Sequence, residues 1–467
     1  YTPGVNTSQG EGHRDAVVFR GVRSTADFFQ DGNRDDVQYY RSLYNVEQVE
    51  ILRGPNALLF GRGGTGGIIN RVSKKATLGE TFGSVDFGLD SFGANDIAVD
   101  YNTGTSGDSA VRIMLHSDSL ENHRDHYDGT RLGFNPTIKI KMNESTTLDL
   151  SYEYADHERY IDRGIPTENG EPVERFEKIT FGGDDNLTTL KANILRATLS
   201  KVFSDTRKGN LSIVSSDFEK MYKNYYASGY TAGATVVTMD GYLDPTEREN
   251  TIISGNIVNE VGNHTLLVGV ELIDTTNENF RYNTFWSTTS DDNEVFNITR
   301  PMDFSVNSAG VATSNDYTAD LKSKTKSDID VTSFFIQDQI DVSDKLKLMI
   351  GGRHDSFDIT VTDVKAGSAA ARKDTKFSPR AGVIFKPQDN ISWYYSYSES
   401  FLPRSGEQYK KLTASAAALD PDVYESSEVG VKWAISDDLS FTAAYFDSEQ
   451  TIACLLYTSD AADDRYR

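Results

Sequence analysis

The stretch VEQVEILRGPNALLFGRGGTGGIINRVSKK, residues 46–75, decides the fold of this chain. Its first apolar residues have a spacing that predicts an amphipathic helical turn, formed by Val46, Val49 and Ile51. Gly54 and Pro55 end that turn, because proline lacks a backbone donor and glycine tolerates positive φ. A second apolar turn is expected at residues 56–60. A glycine-rich reversal follows, formed by Gly61, Gly63, Gly64, Gly66 and Gly67. The β-branched Ile68 and Ile69 then predict a strand.

Residues 61–66 also satisfy the G-x-G-x-x-G pattern of dinucleotide-binding folds. That pattern binds a pyrophosphate only where a strand precedes the glycines and a helix follows them. Here the predicted order is the reverse, with a helix before and a strand after. A Walker-type phosphate loop is excluded as well, because Gly66 is followed by Gly67 and Ile68 rather than by Lys and Ser or Thr.

The segment closely resembles the plug domain of TonB-dependent outer-membrane receptors. The family's LRGP turn, glycine loop and I-N-x-V-[ST]-K strand are matched by Ile51 to Pro55, Phe60 to Gly67 and Ile69 to Lys74. Upstream, the family's I-R-G-F element and Asp-Gly turn are matched by Phe19 to Val22 and Phe29 to Gly32. Because the motifs stand in the family's order, the resemblance implies an N-terminal plug.

The remaining sequence predicts a transmembrane β-barrel. No apolar run approaches the roughly 18 residues of a membrane helix, which argues against a helical membrane protein. A hydrophobic fraction of 37% and a mean hydropathy of -0.49 permit a barrel. Period-two alternation recurs along the chain, for example at Leu148 to Tyr154, Leu266 to Leu272, Ile391 to Tyr397 and Val429 to Trp433. Outward Trp393, Tyr395 and Trp433 would suit the aromatic girdles at the membrane interfaces. A soluble sandwich alternates equally well and is the alternative.

Loop lengths favour the barrel over the sandwich. Short links, such as Asn143 to Thr146 and Gln388 to Asn390, alternate with long polar stretches. The predicted long stretches run from Ser119 to Leu132, Asp156 to Thr189, Glu219 to Arg248, Thr275 to Ile329, Ser356 to Lys376 and Ser398 to Tyr424. The pattern gives about fifteen strands, whereas plugged transporters have about 22. The predicted fold is therefore an all-β transmembrane antiparallel β-barrel, incomplete, with an N-terminal α+β plug in its lumen.

We expect three regions: a plug at 1–76, a barrel at 77–453 and a non-native tail at 454–467. The sequence has no initiating Met, no signal peptide and no N-terminal energy-coupling box, so we expect a fragment. The last residues read LLYTSDAADDRYR and resemble a translated sequencing adapter. The only cysteine, Cys454, adjoins them and supports no disulfide argument.

Charge and motifs exclude several functions. A net charge of -23 argues against nucleic acid as a partner. The acidic pairs in the long loops could bind divalent cations at the lipopolysaccharide surface, but solvated loops are the simpler interpretation. His123, Asp125, His126 and Asp128 are interpreted as a polar loop, not a metal site, since His-x-x-His alone is a weak motif. No catalytic motif is found, so we expect no enzyme and no cofactor.

The resemblance implies an outer-membrane active transporter of a Gram-negative bacterium that binds a ferric siderophore and passes it to the periplasm. Iron arrives chelated, and energy comes from the TonB–ExbB–ExbD complex through the missing N-terminal box. Residues 19–41 resemble the catecholate branch of the family, and three barrel hairpins resemble siderophore receptors: Phe334 to Asp355, Phe377 to Phe401 and Tyr424 to Phe446. Cobalamin, haem or oligosaccharide as cargo, or a non-transporting surface binding protein, are the alternatives.

The family also implies reversible ion pairs between plug arginines and barrel glutamates. Arg20 and Arg53 match the family's arginines, and Glu428 is the expected partner because its strand phase is opposite to Val429 and Val431. Glu399 has the outward phase, which leaves a second pair open. Alternatively, both arginines only cap local turns.

Cargo contacts are expected from the two plug loops after the I-R-G-F element, at residues 23–29 and 34–41. Their aromatic and cationic side chains suit the arms and the negative charge of a ferric siderophore, and the candidates are Arg23, Phe28, Arg34, Tyr39 and Tyr40. Packing of these rings against the barrel wall is the alternative.

Overall fold

The computed structural model describes residues 2–8, 10–54, 57–63, 66–413 and 417–451. The N-terminal part, which we call the plug, forms short strands around one helical turn. Its elements are β1 (Val5–Thr7), a 3-10 turn (Gly10–Gly12), β2 (Val17–Phe19), β3 (Val22–Ser24), β4 (Phe28–Gln30), β5 (Asn33–Arg34), β6 (Val46–Arg53), α1 (Ala57–Phe60) and β7 (Gly67–Ser73).

Two small sheets make up the plug. Strands β1, β2 and β3 form an antiparallel sheet, and the second sheet has the order β5-β4-β7-β6 with β4 and β7 parallel. An apolar cluster contributed by both sheets consists of Val17, Phe19 and Phe28, with Val5, Ile51 and Ile69 packed against it. Burial of these side chains is the main force that stacks the sheets.

The predicted helical turn at Val46 to Ile51 is wrong, because these residues form strand β6. A β-bulge explains the misleading spacing. Val46 pairs with Ser73 and Val49 pairs with Arg71, while the register shifts between Val46 and Gln48. The extra residue puts Val46 and Val49 on the same face although they are three positions apart.

The glycine-rich reversal connects α1 to strand β7. Gly66 and Gly67 are required here by close backbone approach, since an added Cβ would lie 2.7 Å from the carbonyl oxygen of Phe19 at Gly66 and 2.6 Å from that of Leu52 at Gly67. A strand follows the glycines, so the dinucleotide pattern has the wrong context, as predicted. Pro55 and Gly64 lie outside the described residues.

The rest of the described chain forms a large antiparallel sheet. Its first strands are β8 (Thr81–Leu89), β9 (Asn95–Ser106), β10 (Ser109–Glu121), β11 (Asp128–Asn143) and β12 (Thr146–Tyr160). The loop after β12 contains a separate two-stranded hairpin, β13 (Thr167–Glu168) and β14 (Glu171–Pro172), and a 3-10 turn (Glu174–Phe176). The large sheet continues with β15 (Leu187–Ser204), β16 (Arg207–Gly229), β17 (Val236–Leu243), β18 (Thr246–Val261), β19 (His264–Asn283), β20 (Glu294–Asn297), β21 (Asp320–Ser343), β22 (Leu346–Asp363), β23 (Ser368–Gln388), β24 (Ile391–Leu402), β25 (Asp422–Ser436) and β26 (Leu439–Thr451).

These strands wrap into a barrel around the plug. Of the seventeen strands in this sheet, β17 and β20 are short and lie in the long loops, which leaves fifteen that build the wall, as predicted. Register pairs join each wall strand to the next from β8 to β26. The strand order closes from β26 to β8, but no register pair joins these two strands within the described residues.

The two faces of the wall differ as a membrane barrel requires. Outward side chains are large and apolar, for example Phe334, Trp393 and Trp433, which are 59%, 50% and 40% exposed. Inward side chains are polar and contact the plug, as when the Ser254 hydroxyl donates to Asn33 Oδ1 of the plug at 3.2 Å. The apolar outer face therefore suits lipid. In the part of the chain that the structure describes, no helix is both long and apolar enough to cross a membrane.

One predicted long loop is wrong. The stretch from Ser356 to Lys376 continues strands β22 and β23, which meet in a turn between Asp363 and Ser368. The polarity of β22 inverts towards this end, since Phe357, Ile359 and Val361 point inward and pack on Tyr409 and Leu412 of a long loop. The outward side chains there are polar, so the sequence looked like a solvated loop. Short and long connections consequently do not alternate strictly.

Candidate ligand vestibule and plug junctions

The two predicted cargo loops of the plug lie at the barrel end that carries the long loops. Thr25 in the first loop donates to Glu407 Oε2 from its backbone nitrogen at 3.2 Å and its hydroxyl at 2.6 Å. In the second loop, the ring of Tyr40 lies 4.3 Å from the guanidinium of Arg159, next to the end of β12. We call the space above the plug at this end the vestibule.

The five predicted cargo residues differ in accessibility. Arg23 is exposed and Tyr40 is half-buried, whereas Phe28 and Tyr39 are buried. Arg34 is held by backbone oxygens, at 3.3 Å from Ala26 O and 3.0 Å from Phe60 O. In this conformation only Arg23 and Tyr40 are open to a ligand without rearrangement.

Asp35 organises the second cargo loop from within. Its Oδ2 accepts from Tyr39 Oη at 2.9 Å, Arg41 Nε at 2.8 Å and Arg71 Nη2 at 2.6 Å. Burial alone would raise the pKa of Asp35, but the charges of Arg41 and Arg71 outweigh it and lower the pKa. Burial raises the pKa of Tyr39, so its hydroxyl remains a donor. The loop is thus fixed by a charged core.

This charged core continues into the barrel wall through Gln30. The Gln30 side-chain oxygen accepts from Arg71 at 3.0 Å and from Arg196 of β15 at 2.7 Å. The Gln30 amide nitrogen donates to Glu153 of β12 at 3.2 Å, and Arg196 and Glu153 pair at 2.9 Å. Plug and wall therefore share one buried hydrogen-bond network.

A second buried network, which we call the upper junction, centres on Asp36. Its carboxylate pairs with Arg248 of β18 at 2.6 Å and with Arg62 of the glycine loop at 2.7 Å. It also accepts from Tyr409 Oη at 3.3 Å, and Gln408 Nε2 donates to its backbone oxygen at 2.8 Å. Burial would raise the pKa of Asp36, but Arg248 and Arg62 outweigh it and lower the pKa. Burial and the nearby charge of Arg34 lower the pKa of Arg62 to about 10.

Gln408 and Tyr409 belong to the loop between β24 and β25. Its described residues 403–413, which we call the lid loop, fold inward over the plug. The Ser327 hydroxyl of β21 donates to Tyr409 O at 2.5 Å, and Leu412 packs with Ile359 and Val361. The lid loop therefore contacts the wall and the plug at the same point.

Residues before β2, which the sequence analysis did not select, also reach the vestibule. Glu11 pairs with Arg14 at 2.7 Å and accepts from Tyr242 Oη at 3.1 Å. The Tyr222 hydroxyl donates to Glu11 O at 3.0 Å, and the His13 ring lies 3.9 Å from the Tyr222 ring. Barrel tyrosines thus surround this part of the plug.

Five cations line the same region, and we call them the cationic cluster: Arg14, Arg163, Lys220, Arg281 and Lys410. Arg281 and Lys410 share Asp244 at 3.4 and 3.1 Å. Arg163 lies 3.8 Å from the Tyr226 ring. Lys220 has no ion-pair or hydrogen-bond partner in the described part of the chain, although the charges of Lys410, Asp244, Arg14 and Glu11 act on it. Cations outnumber carboxylates here, in a chain whose net charge is -23.

Of the two plug arginines that were predicted to pair with the wall, one makes a direct contact. Arg20 Nη2 donates to Glu428 Oε2, and Tyr394 Oη donates to Glu428 Oε1 at 2.5 Å. We call these three residues the side junction. Arg53 instead donates to Pro3 O at 3.0 Å, although its charge still acts on Glu428. Glu399 pairs with Lys376 of the wall at 3.4 Å.

Metal-binding side chains do not cluster in the residues that the structure describes: no group of three or more His, Cys, Asp or Glu could hold an ion there. In the polar loop considered earlier, Asp125 pairs with Arg300 at 2.8 Å.

Comparison with known families matches both parts of this architecture. The family model described as "TonB dependent receptor-like, beta-barrel" matches residues 133–451, and "TonB-dependent Receptor Plug Domain" matches residues 1–68. The chain belongs to the TonB-dependent receptor family. Members of this family sit in the Gram-negative outer membrane and are non-enzymatic transporters.

Several relatives of this TonB-dependent receptor are siderophore receptors by name. It is 26% identical to the probable TonB-dependent siderophore receptor PiuA of Acinetobacter baumannii, over 96% of this chain and 65% of PiuA. It is 24% identical to the ferrichrome outer membrane transporter/phage receptor of Escherichia coli, over 97% of this chain and 64% of that protein. The chain therefore spans about 65% of the length of PiuA.

Solved structures show the same fold. The crystal structure of PiuA aligns with a TM-score of 0.83 at 22% identity, covering 95% of this chain and 68% of PiuA. The closed form of the ferric-catecholate import receptor Fiu of E. coli aligns with a TM-score of 0.78 at 18% identity, covering 94% and 69%. At these identities the likeness concerns the fold alone.

Proposed function

We propose that this receptor is an active transporter that binds a ferric siderophore in its vestibule and releases it to the periplasm with energy from the TonB complex. Support comes from family membership and from relatives named for siderophores at about a quarter identity, including the ferrioxamine B receptor of Salmonella typhimurium at 25%. Residues 1–76 would act as the plug and 77–453 as the barrel, while the proposed tail at 454–467 lies outside the described residues.

The observation that carries the proposal is the cationic cluster. An acidic protein that gathers five basic side chains near three tyrosines offers an anion several nitrogen donors in one place. Ferric siderophores with catecholate or carboxylate arms carry negative charge and flat rings. Lysine and arginine can pair with the charge, and the tyrosine rings can stack on the arms.

Within this proposal, the plug residues have two roles. Arg23 and Tyr40 would contact the cargo because neither is buried, whereas Arg14 is buried and pairs with Glu11 at 2.7 Å. Phe28, Arg34 and Tyr39 would position these groups, since each is already engaged inside the plug. The side junction would hold the plug against the wall until TonB pulls.

Binding by the purified full-length receptor tests the charge argument. Lys220→Gln should weaken binding of an anionic ferric tricatecholate by about tenfold, because one charge-assisted hydrogen bond contributes roughly 1.5–3 kcal/mol. Binding of a cationic ferric trihydroxamate should not weaken. Lys191→Gln is the matched control, since Lys191 is exposed at the outer end of β15. Equal losses for both chelates would remove the support for an anionic cargo.

Growth tests the transport step separately. Cells that depend on the full-length gene should grow under iron limitation on one ferric siderophore, and deletion of the TonB complex should abolish that growth. Growth that persists after the deletion would refute active transport. A panel that includes haem, cobalamin and oligosaccharide would identify another cargo.

A further inference from the structure

The lipid-facing wall contains an open groove, separate from the vestibule. It has a volume of about 440 Å³ and crosses the outward faces of β15, β16, β18 and β19. Its floor lies at Gly209 and Gly255, and its sides include Leu211, Ile257 and Val270. The register places Gly255 opposite Leu211 on one side and Val270 on the other.

The groove exists because Gly209 and Gly255 have no side chains. The neighbouring outward positions carry large apolar residues, so a glycine leaves a gap in an otherwise continuous layer. An added Cβ at Gly255 would meet its nearest atoms, Asn210 O and Leu211 Cδ1, at 3.5 Å, which is ordinary contact. The backbone therefore does not require glycine at this position, and a larger side chain would fill the groove.

Lys201, a cation, lies at one end of the groove on the lipid-facing side of β15. Lys201 pairs in register with Gly209 and has the same outward phase as Leu199 and Phe203. Its ammonium nitrogen lies 5.6 Å from the Phe203 ring, and among the described residues it has no ion-pair or hydrogen-bond partner. Phe203 is closer to the strand end, so Lys201 lies on the membrane side of an exposed aromatic residue. A cation this close to the strand end costs little by itself, and an anionic headgroup at the same level can pair with it.

A second cation lies beside Lys201 at the same barrel end. Arg207 begins β16 after the short turn from Ser204, and it is exposed without an ion pair in the described residues. Arg207 is two residues before Gly209 on β16, and a strand rises about 3.3 Å per residue, so the two Cα atoms are roughly 7 Å apart. The groove thus combines an apolar slot with one cation in its lining, Lys201, and a second, Arg207, two residues before Gly209 on β16.

We propose that this groove binds one anionic glycerophospholipid from the leaflet on the short-turn side. One acyl chain lies over Gly209 and Gly255, and the phosphate contacts Lys201 and Arg207. Lys201 reaches the headgroup level by extending its aliphatic stem along the wall. The proposal concerns the outer wall and is independent of the cargo.

Native mass spectrometry of the full-length receptor, released from mixed micelles, tests this binding. With phosphatidylglycerol and phosphatidylcholine of equal chain length, one phosphatidylglycerol should be retained preferentially. Lys201→Gln should reduce that preference about fivefold, the usual contribution of one cation near a charged headgroup. Gly255→Leu should abolish retention of either lipid.

Two controls separate the groove from general lipid contact. Lys191→Gln removes a cation from the other end of β15, and Ala381→Leu adds a leucine to the exposed face of β23; neither should change retention. Glycerophosphoglycerol without acyl chains should not compete. Equal retention of both lipids by the wild type, or equal loss in Ala381→Leu and Gly255→Leu, would overturn the proposal. If Gly255→Leu does not fold, the comparison of Lys201→Gln with Lys191→Gln decides.

Discussion

The upper junction and the side junction both join a plug charge to a barrel charge, but they differ in burial and in the number of partners. Asp36 and Arg248 are 6% and 2% exposed, and Asp36 contacts four residues from three separate parts of the chain. Glu428 is 17% exposed and contacts Arg20 and Tyr394. A buried charge that loses one partner is left uncompensated, whereas a wetter pair is replaced by water at lower cost.

Because of this difference, we expect the two junctions to have different roles. The upper junction includes Gln408 and Tyr409 of the lid loop. The lid loop and the plug therefore cannot separate there without breaking hydrogen bonds of Asp36 and Arg248. The side junction involves only one turn of the plug and two neighbouring strands of the wall, β24 and β25. We therefore expect the upper junction to set the stability of the closed state and the side junction to adjust it.

The largest effect is expected from Asp36→Ala. Removal of this carboxylate leaves Arg62 and Arg248 buried without an anion, which should cost roughly 3–5 kcal/mol. Amide hydrogen exchange of the full-length receptor in vesicles should show faster opening in β4, β5 and the lid loop. Asp358→Asn is the control, because Asp358 is half-exposed on the outer side of β22. Unchanged exchange in the lid loop would contradict the coupling of lid and plug.

Arg20→Gln tests the side junction and should have a smaller effect. A hydrogen bond to a charged group contributes about 1.5–3 kcal/mol, and water can partly replace it at Glu428. Exchange should accelerate in β2 and β3, while the lid loop keeps its wild-type protection. If the lid loop opened as much as in Asp36→Ala, the two junctions would not be independent.

Several features of the fold could be predicted from the sequence because they depend on local pattern. The outward phase of Trp393 and Trp433 follows from period-two alternation, and the glycine loop from steric needs at Gly66 and Gly67. The same rule failed at Val46 to Ile51, where a bulge imitates helical spacing. It failed again near Phe357, where the lid loop replaces water on the inner face and reverses the polarity of the strand.

The vestibule could be predicted only in part, since its residues come from distant segments. Arg14, Arg163, Lys220, Arg281 and Lys410 lie on five different elements or loops, and no local motif links them. The available signal was the charged run Glu11 to Arg14 in the turn before β2, because it lies close in sequence to the predicted cargo loops.

Tyr394→Phe removes one of the two groups that hold Glu428 and should have a modest effect. The tyrosine hydroxyl donates to Glu428 Oε1 at 2.5 Å while Arg20 still pairs with Oε2, so the loss should be about 0.5–1.5 kcal/mol. Exchange in β2 and β3 should rise less than in Arg20→Gln. Tyr395→Phe, on the outward face of the same strand, is the control. A larger effect than that of Arg20→Gln would mean that the tyrosine, and not the arginine, is the main partner of Glu428.

Arg53→Gln should have the smallest effect, which separates the two plug arginines that were expected from the sequence to pair with barrel glutamates. Arg53 is exposed and donates to Pro3 O at 3.0 Å, so substitution should change stability by no more than about 0.5 kcal/mol. Its charge still acts on Glu428, and that contribution is screened by salt. Exchange in β2 should therefore differ slightly from wild type at low ionic strength and match it at high ionic strength. A loss comparable to Arg20→Gln, persisting in high salt, would show that Arg53 contacts the wall directly and that the side junction has two arginines.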